Sequence, residues 1–309
     1  MTGTGKRERV MAAVQGGPAD RVPVSFWYHF PLDHPSGEPL AEAELDFARK
    51  YDPDFLKVMH DLVLDLPEEL RHIEDPADWE KLKPLDPEAG NFLEQLKALK
   101  ILRKELGQDM ILIDTLFDPY AAANKLCSKR LMEHYRANPK AVKHGLHTIA
   151  VSLANYAEAW IRNGGDGIFY ALNSAQQSIV SEEEYREIFM PLDRLVLEKA
   201  MKHGTFNVLH IHGNEIYFET AQSLPCHAVN WSSQTTYPSI YEGRSNHDGC
   251  IAGGIDETTI ASKLPEEVID EGRISINDAG ETCFILTPGC AIPTDTPEEL
   301  IFALRQAVE

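Results

Sequence analysis

Asn207-Val208-Leu209-His210-Ile211-His212-Gly213 reads as a buried β-strand that ends in chemistry. The run is short, mostly apolar and stopped by glycine, as expected of a parallel strand covered by helices on both faces. Side chains alternate along a strand, so Val208, His210 and His212 share one face. A second apolar run, residues 283–286, passes through Thr287-Pro288-Gly289 and delivers Cys290. Two imidazoles on one strand face, with a thiol from another strand end, lead us to expect a three-ligand zinc site at His210, His212 and Cys290; the alternative is a pair of barrel-mouth histidines bonded to their neighbours and a buried thiol in a tight turn. Three protein ligands leave a fourth position open, which is the habit of catalytic zinc.

Working outward, runs of the same character occur at residues 22–26, 55–59, 110–116, 167–171, 228–232, 251–255 and 283–286. Together with 207–212 they supply the eight strands of an α/β (β/α)8 TIM barrel, preceded by a helical extension at 6–14. Between them lie helical signals. Asn138-Pro139 opens a long helix that Gly164-Gly165 stops, and Ser181-Glu182-Glu183-Glu184 has capping-box spacing. Thr296-Pro297-Glu298-Glu299 starts the last helix with a threonine cap and a first-turn proline. Gly272 interrupts the pattern across 265–280. Residues 26–53, rich in Pro and His, read as a long loop over the barrel mouth. With no low-complexity linker, residues 1–309 read as one domain.

The charge balance, 49 acidic against 29 basic residues for a net −20, repels phosphate backbones and anionic lipid, so neither nucleic acid nor a membrane is an expected partner. The amino terminus lacks a signal-peptide apolar stretch, and no run approaches a membrane span. Five cysteines without Cys-x-x-Cys spacing read as reduced thiols in the cytoplasm. Cys127, Cys226, Cys250 and Cys283 are expected to be small buried apolar residues.

Polar and aromatic residues cluster at the expected strand ends. Tyr28 and His29 follow the first run, Tyr170, Asn173, Gln176 and Gln177 the fourth, and Asn230, Trp231 and Ser232 close the sixth. They describe a pocket of neutral polar and aromatic character, with Tyr28, His29, Tyr170, Asn173 and Asn230 as substrate contacts. Asp256 ends Gly253-Gly254-Ile255-Asp256 and is either a mouth residue acting in catalysis or the cap of the next helix. Glu215 reads as a helix-start acid. His144-x-x-His147 reads as an ordinary surface pair.

Lys6-Arg7-Glu8-Arg9-Val10 and Asp20-Arg21-Val22-Pro23-Val24 resemble the opening of the uroporphyrinogen decarboxylase superfamily. The likeness continues through Pro53-Asp54-Phe55-Leu56-Lys57, His210-Ile211-His212-Gly213-Asn214, Asn230-Trp231 and Gly253-Gly254-Ile255-Asp256. It ends with Ile285-Leu286-Thr287-Pro288-Gly289-Cys290-Ala291-Ile292-Pro293 and Thr296-Pro297-Glu298-Glu299. The resemblance implies a (β/α)8 barrel and one of two chemistries. One branch decarboxylates a tetrapyrrole without metal; the other comprises zinc-dependent methyltransferases that exchange methyl groups with a corrinoid.

Decarboxylases carry Arg-Gln-Ala-Gly-Arg-Tyr after the first strand, where this chain has Ser25-Phe26-Trp27-Tyr28-His29-Phe30, and no Arg or Lys occurs between Arg21 and Arg49. A substrate with eight carboxylates needs such cations. Asp61 points the other way, since it falls where the decarboxylases keep their catalytic aspartate. The methyltransferase branch has His-x-Cys on one strand and a cysteine in a Pro-Gly-Cys turn. His210 and Cys290 match that pattern; His212 replaces a cysteine. One thiolate and two neutral imidazoles leave Zn²⁺ formally at +1, a stronger Lewis acid than a two-thiolate site.

The expectation is therefore a zinc enzyme moving a methyl group between a small donor or acceptor and a corrinoid, free or carried on a corrinoid protein. The alternatives are uroporphyrinogen decarboxylase and a non-catalytic barrel that binds a corrinoid or other ligand.

Overall fold

The computed structural model describes residues 4–309; Met1-Thr2-Gly3, part of the amino terminus read above, lie outside the described residues. Seven strands form one parallel sheet in chain order: β1 (Phe55–Val58), β2 (Ile111–Phe117), β3 (Gly167–Leu172), β4 (Val208–Ile211), β5 (Ala228–Trp231), β6 (Cys250–Ile255) and β7 (Phe284–Pro288). Every strand residue except the half-buried Phe117 is buried, so the sheet is covered on both sides. That is why these runs are almost continuously apolar rather than alternating.

The eighth expected strand, residues 22–26, does not form. Only Val24 bridges, in parallel, to Leu286 of β7, through Ser25 N to Leu286 O (3.1 Å) and Leu286 N to Pro23 O (2.9 Å). The reason lies in the sequence's own chemistry. Pro23 has no N–H to give a ladder. The Val24 amide is taken by the Asp54 carboxylate at 2.8 Å, and Ser25 Oγ donates to Phe55 O at 2.7 Å. Toward β1 the segment thus keeps one backbone bond, Asp54 N to Val24 O, and otherwise uses side chains. Asp54 also binds Arg9 and Arg21, tying the first helix (Lys6–Val14) to this edge.

The helical segments follow their caps with two corrections. The stretch 26–53, read as a long loop, contains the helix Gly37–Tyr51, whose apolar residues Leu40, Leu45, Phe47 and Tyr51 are buried. Its signal was masked by the Pro- and His-rich residues before it. Thr296 does not cap the last helix (Glu298–Gln306); its hydroxyl donates back to Pro293 O, and Pro297 occupies the cap position. Elsewhere, Asn138 caps Pro139–Arg162, Ser181 and Glu184 form a reciprocal capping box, and Pro265–Ala279 runs unbroken through Gly272.

Candidate metal centre

Parity along the strands decides what faces inward. His210 is in register with Ala171 of β3 and Asn230 of β5, so all three side chains lie on one face. That face lines a cleft of about 180 Å³ bounded by Trp27, His29, Lys57, Met59, Thr115, Phe117, Phe169, Ala171, Asn173, His210, His212, Cys290 and Ala291. The donor atoms of His210, His212 and Cys290 lie within 4.8 Å of one another, the one such cluster among the described residues.

Each donor is positioned by local structure. His210 is buried, its ring stacked on Phe169 with centroids 5.2 Å apart. Its Nδ1 is 2.6 Å from Asn230 Oδ1, and Asn230 Nδ2 donates to Ala252 O (2.8 Å) and Pro288 O (3.1 Å). With the amide oxygen turned toward the imidazole, Nδ1 carries the proton and Nε2 keeps a free lone pair. Burial brings the imidazole down to about 4, against a weaker upward pull from Asn230, so His210 is neutral near pH 7.

His212 is exposed just beyond β4, with its amide bonded to Leu172 O at 2.9 Å. The turn after it requires Gly213, at φ +122°, where a Cβ would fall 2.4 Å from Gln176 Oε1. Gln176 in turn donates to His212 O and Asn173 O, pinning the turn.

Cys290 follows Gly289, where a Cβ would lie 2.4 Å from Ser232 Cα and 2.9 Å from Trp231 O. Glycine is what lets the β7 turn close onto the end of β5. Cys290 Sγ is 4.0 Å from His212 Nδ1. Burial pushes this thiol up, but the hydrogen bond and charge of His212 outweigh it, and the thiol lies below its ordinary value. The Cys127, Cys226 and Cys250 thiols are pushed up by burial instead, to about 12 for Cys226. Cys127 and Cys250 are buried as expected, whereas Cys226 and Cys283 are only half-buried; all five cysteines are free.

The other expected site residues divide. His29 and Asn173 line the cleft, and Asn230 sits behind His210. Tyr28 packs instead against Phe30 and Phe47 at 5.2 Å. Tyr170 faces the opposite side of the sheet, where its hydroxyl donates to Asp193 at 2.7 Å; its neighbour Phe169 lines the cleft. Asp61 is outside the cleft wall and pairs with His29 Nδ1 at 2.9 Å. Burial pushes its carboxyl up, yet His29 brings it below the ordinary value. Asp256 is not a cleft residue either: it accepts from Thr258 N, Thr258 Oγ1 and Thr259 Oγ1 at 2.6–2.8 Å, the turn-capping alternative. Gln177, Glu215 and the exposed His144 and His147 stand apart from the donor cluster.

Sequence reasoning passed over Lys57. It is buried on β1, with Nζ 4.8 Å from the Phe169 ring centroid and 5.5 Å from that of Trp27. A lysine at the centre of an otherwise apolar strand run was the available signal. Glu257, buried behind the Cys290 turn and bonded to Ser232 Oγ, was also passed over.

Comparison with known proteins bears on this geometry. Residues 5–309 match the family described as uroporphyrinogen decarboxylase (URO-D). Among similar proteins are the methylcobamide:CoM methyltransferases MtbA of Methanosarcina acetivorans, 24% identical, and of Methanosarcina mazei, 25% identical. Each alignment covers 75% of this chain and 68% of the relative. MtaA of Methanosarcina barkeri is 25% identical over 69% of this chain and 62% of its own length. A solved methyltransferase from Methanosarcina mazei superposes with a TM-score of 0.83 at 20% identity, covering 98% of both chains, which shows the shared fold. This chain belongs to the uroporphyrinogen decarboxylase family and, within it, stands closer to the methyltransferases than to the decarboxylase.

Proposed function

We propose that this protein is a zinc-dependent methyltransferase that moves a methyl group between a small substrate and a corrinoid, free or bound to a partner protein. The observation that carries the proposal is the convergence of His210, His212 and Cys290 at the cleft. The donor set suits zinc: two imidazole nitrogens and a thiol are its usual ligands, and Asn230 leaves His210 with Nε2 free. Bound there, zinc supplies Lewis acidity, lowering the pKa of a thiol or polarising an ether or amine. The chain's own residues do the rest. Asn230 and Phe169 hold the His210 ring, the walls formed by Trp27, Phe117 and Phe169 exclude water, and Asn173 and His29 offer hydrogen bonds to substrate. The open cleft end is where a corrinoid would approach.

We take residues 1–309 as one barrel-like domain in which residues 22–26 stand in for the first strand. Five free cysteines suit a reducing cytoplasm. Among the described residues no helix is long and apolar enough to cross a membrane. The decarboxylase alternative has less behind it. Lys57 is the single Lys or Arg lining the cleft, and Asp61 is committed to His29.

The test is elemental analysis of protein grown with ample zinc, followed by spectroscopy with added methylcob(III)alamin or cob(I)alamin. About one zinc per chain and a corrinoid spectral change with a thiol acceptor or methylated donor are expected. Metal-free protein overturns the reading. Corrinoid binding without turnover favours the non-catalytic alternative, and carboxylate loss from uroporphyrinogen favours the decarboxylase.

A further inference from the structure

His29 reaches the cleft with its ring already oriented. Its Nδ1 lies 2.9 and 3.0 Å from the two Asp61 oxygens, and among the described residues its Nε2 has no hydrogen-bond partner. Burial pushes the Asp61 carboxyl up, but the bond and charge of His29, with the charges of Lys57 and Lys125, bring it below its ordinary value. Near neutrality it is therefore a carboxylate, which only accepts, so Nδ1 carries the proton and a neutral ring keeps its lone pair on Nε2. The His29 side chain is 53% exposed, and an exposed pair by itself says little. Both members, however, are fastened from behind. Thr294 Oγ1 donates to His29 O at 2.9 Å and Ile292 N to Trp27 O at 3.0 Å, which ties the His29 segment to the chain that follows Cys290. Asp61 follows His60, whose Nδ1 is held 3.0 Å from Asp114. Beside the three donors, the titratable side chains of the cleft wall are His29 and Lys57. Lys57 Nζ is enclosed: it is 3.0 Å from Met59 Sδ, packs on the Trp27 and Phe169 rings and has Cys290 as its foremost charged neighbour. That leaves His29 as the accessible group able to exchange a proton there.

We infer that His29 is a catalytic residue that moves the substrate's proton through Nε2, and that Asp61 is the positioning residue that fixes its tautomer. The inference rests on the methyl-transfer reading for the reaction it serves; the oriented pair itself does not depend on it. When a substrate heteroatom accepts methyl, its bond to hydrogen breaks, the proton goes to His29 Nε2 and the electron pair stays on the heteroatom. That pair then forms the bond to the methyl carbon, while the cobalt–carbon bond breaks and leaves its pair on cobalt. In the demethylating direction the same atoms move in reverse, and His29 returns the proton to the leaving heteroatom. A base held by a third group in this way is the usual arrangement for proton transfer at a nucleophile.

The test has two arms, both on the whole purified protein. In the first, nitrogen NMR of histidine-labelled protein in mildly alkaline buffer, with His29 assigned by its loss in His29→Gln, is expected to show the Nδ1-protonated tautomer. Asp61→Leu should return the ring to the Nε2-protonated form that free histidine favours. An Nε2-protonated His29 in the wild type overturns the inference without any turnover being needed. In the second, methyl transfer is followed by cobalamin absorbance, from methylcob(III)alamin to 2-mercaptoethanol and from 2-methoxyphenol to cob(I)alamin. His29→Gln is expected to lower kcat about a hundredfold or more with KM and zinc content little changed. With the thiol, that deficit should shrink as pH rises toward the thiol's own ionisation at roughly 8.5, because solvent then removes the proton. With the ether it should shrink as pH falls. A loss independent of pH marks a merely structural role and overturns the inference, and undiminished transfer by His29→Gln assigns the proton elsewhere and does the same. Zinc-loaded wild type that moves methyl in neither direction removes the methyl-transfer reading and the proton role with it, whereas an active wild type matched by His29→Gln removes the proton role alone.

Discussion

Two buried histidines sit in polar networks on opposite faces of the sheet, and only one belongs to the donor cluster. His60 Nδ1 lies 3.0 Å from Asp114, which also accepts from Gln95 Nε2 (2.7 Å) and the Tyr156 hydroxyl (2.6 Å). That network faces the helix Pro139–Arg162, and its central carboxylate collects three donors. His210 meets a neutral amide instead, and the amide is oriented by two backbone carbonyls. A carboxylate hub ties elements together; an amide fixes one tautomer and leaves the other nitrogen free. Stability is thus expected to reside in the Asp114 network and ligation in the Asn230 network.

The largest effect expected is on metal content. His210→Ala or Cys290→Ala should reduce zinc from about one per chain to near none, while His60→Ala should leave it unchanged. Retention of zinc by both ligand variants would break the comparison outright.

The two hubs should respond in opposite ways. Asp114→Leu strands three buried partners and should lower stability by about 3 kcal/mol, seen as a fall in Tm, with the zinc affinity of folded protein unchanged. Asn230→Leu should weaken zinc binding about ten- to a hundredfold in chelator competition. If Asn230→Leu alters only Tm, the amide is merely structural.

Acid titration sharpens the point in metal-free protein. An unfolded histidine takes up its proton near pH 6.5, whereas folded His210 does so only at about 4. Between those values the unfolded chain binds more protons, so stability falls as pH drops through that window and levels off below it. The loss attributable to His210 is on the order of 3 kcal/mol. Urea unfolding of wild type and His210→Gln from pH 7 to pH 4 measures it, and parallel slopes for the two proteins would refute the assignment.

The smallest expected effect belongs to His212. Replacing it with cysteine should retain zinc but cancel the remaining formal charge. A transfer limited by polarising a donor oxygen or nitrogen should then slow severalfold, whereas one limited by a bound thiolate nucleophile should hold steady or quicken. Unchanged zinc content and rate in both His212→Cys and His212→Ala would remove His212 from the site.

Seven of the strands and the three members of the donor cluster were legible because each is written in contiguous residues: an apolar run, its alternation, its stopping glycine. The spacing between Tyr28 and Phe30 or between Tyr170 and Ala171 carried no such signal. Tyr170 is one residue out of phase with Phe169, and a period of two sends it to Asp193 rather than to the cleft. Asp256 looked the same from sequence whether it faced substrate or capped a turn; Thr258 and Thr259, brought onto its oxygens, distinguish the two.

The residues themselves determined the parallel α/β architecture, the acidic surface charge and the soft donor set of His210, His212 and Cys290, since periodicity, formal charge and ligand type are properties of the chain. Tertiary structure alone decided the rest. Asn230 reaches His210 only because β4 and β5 pair in register, and Gly289 matters only because the β7 turn closes on β5. Residues 22–26 lose their ladder because Asp54 takes the Val24 amide. Lys57 has the Met59 thioether rather than a carboxylate as its hydrogen-bond partner because Glu44, Asp61 and Asp114 have found other partners. Each of these is a contact between residues distant in the chain, and whether a charge or hydrogen bond is satisfied depends on what folding brings beside it.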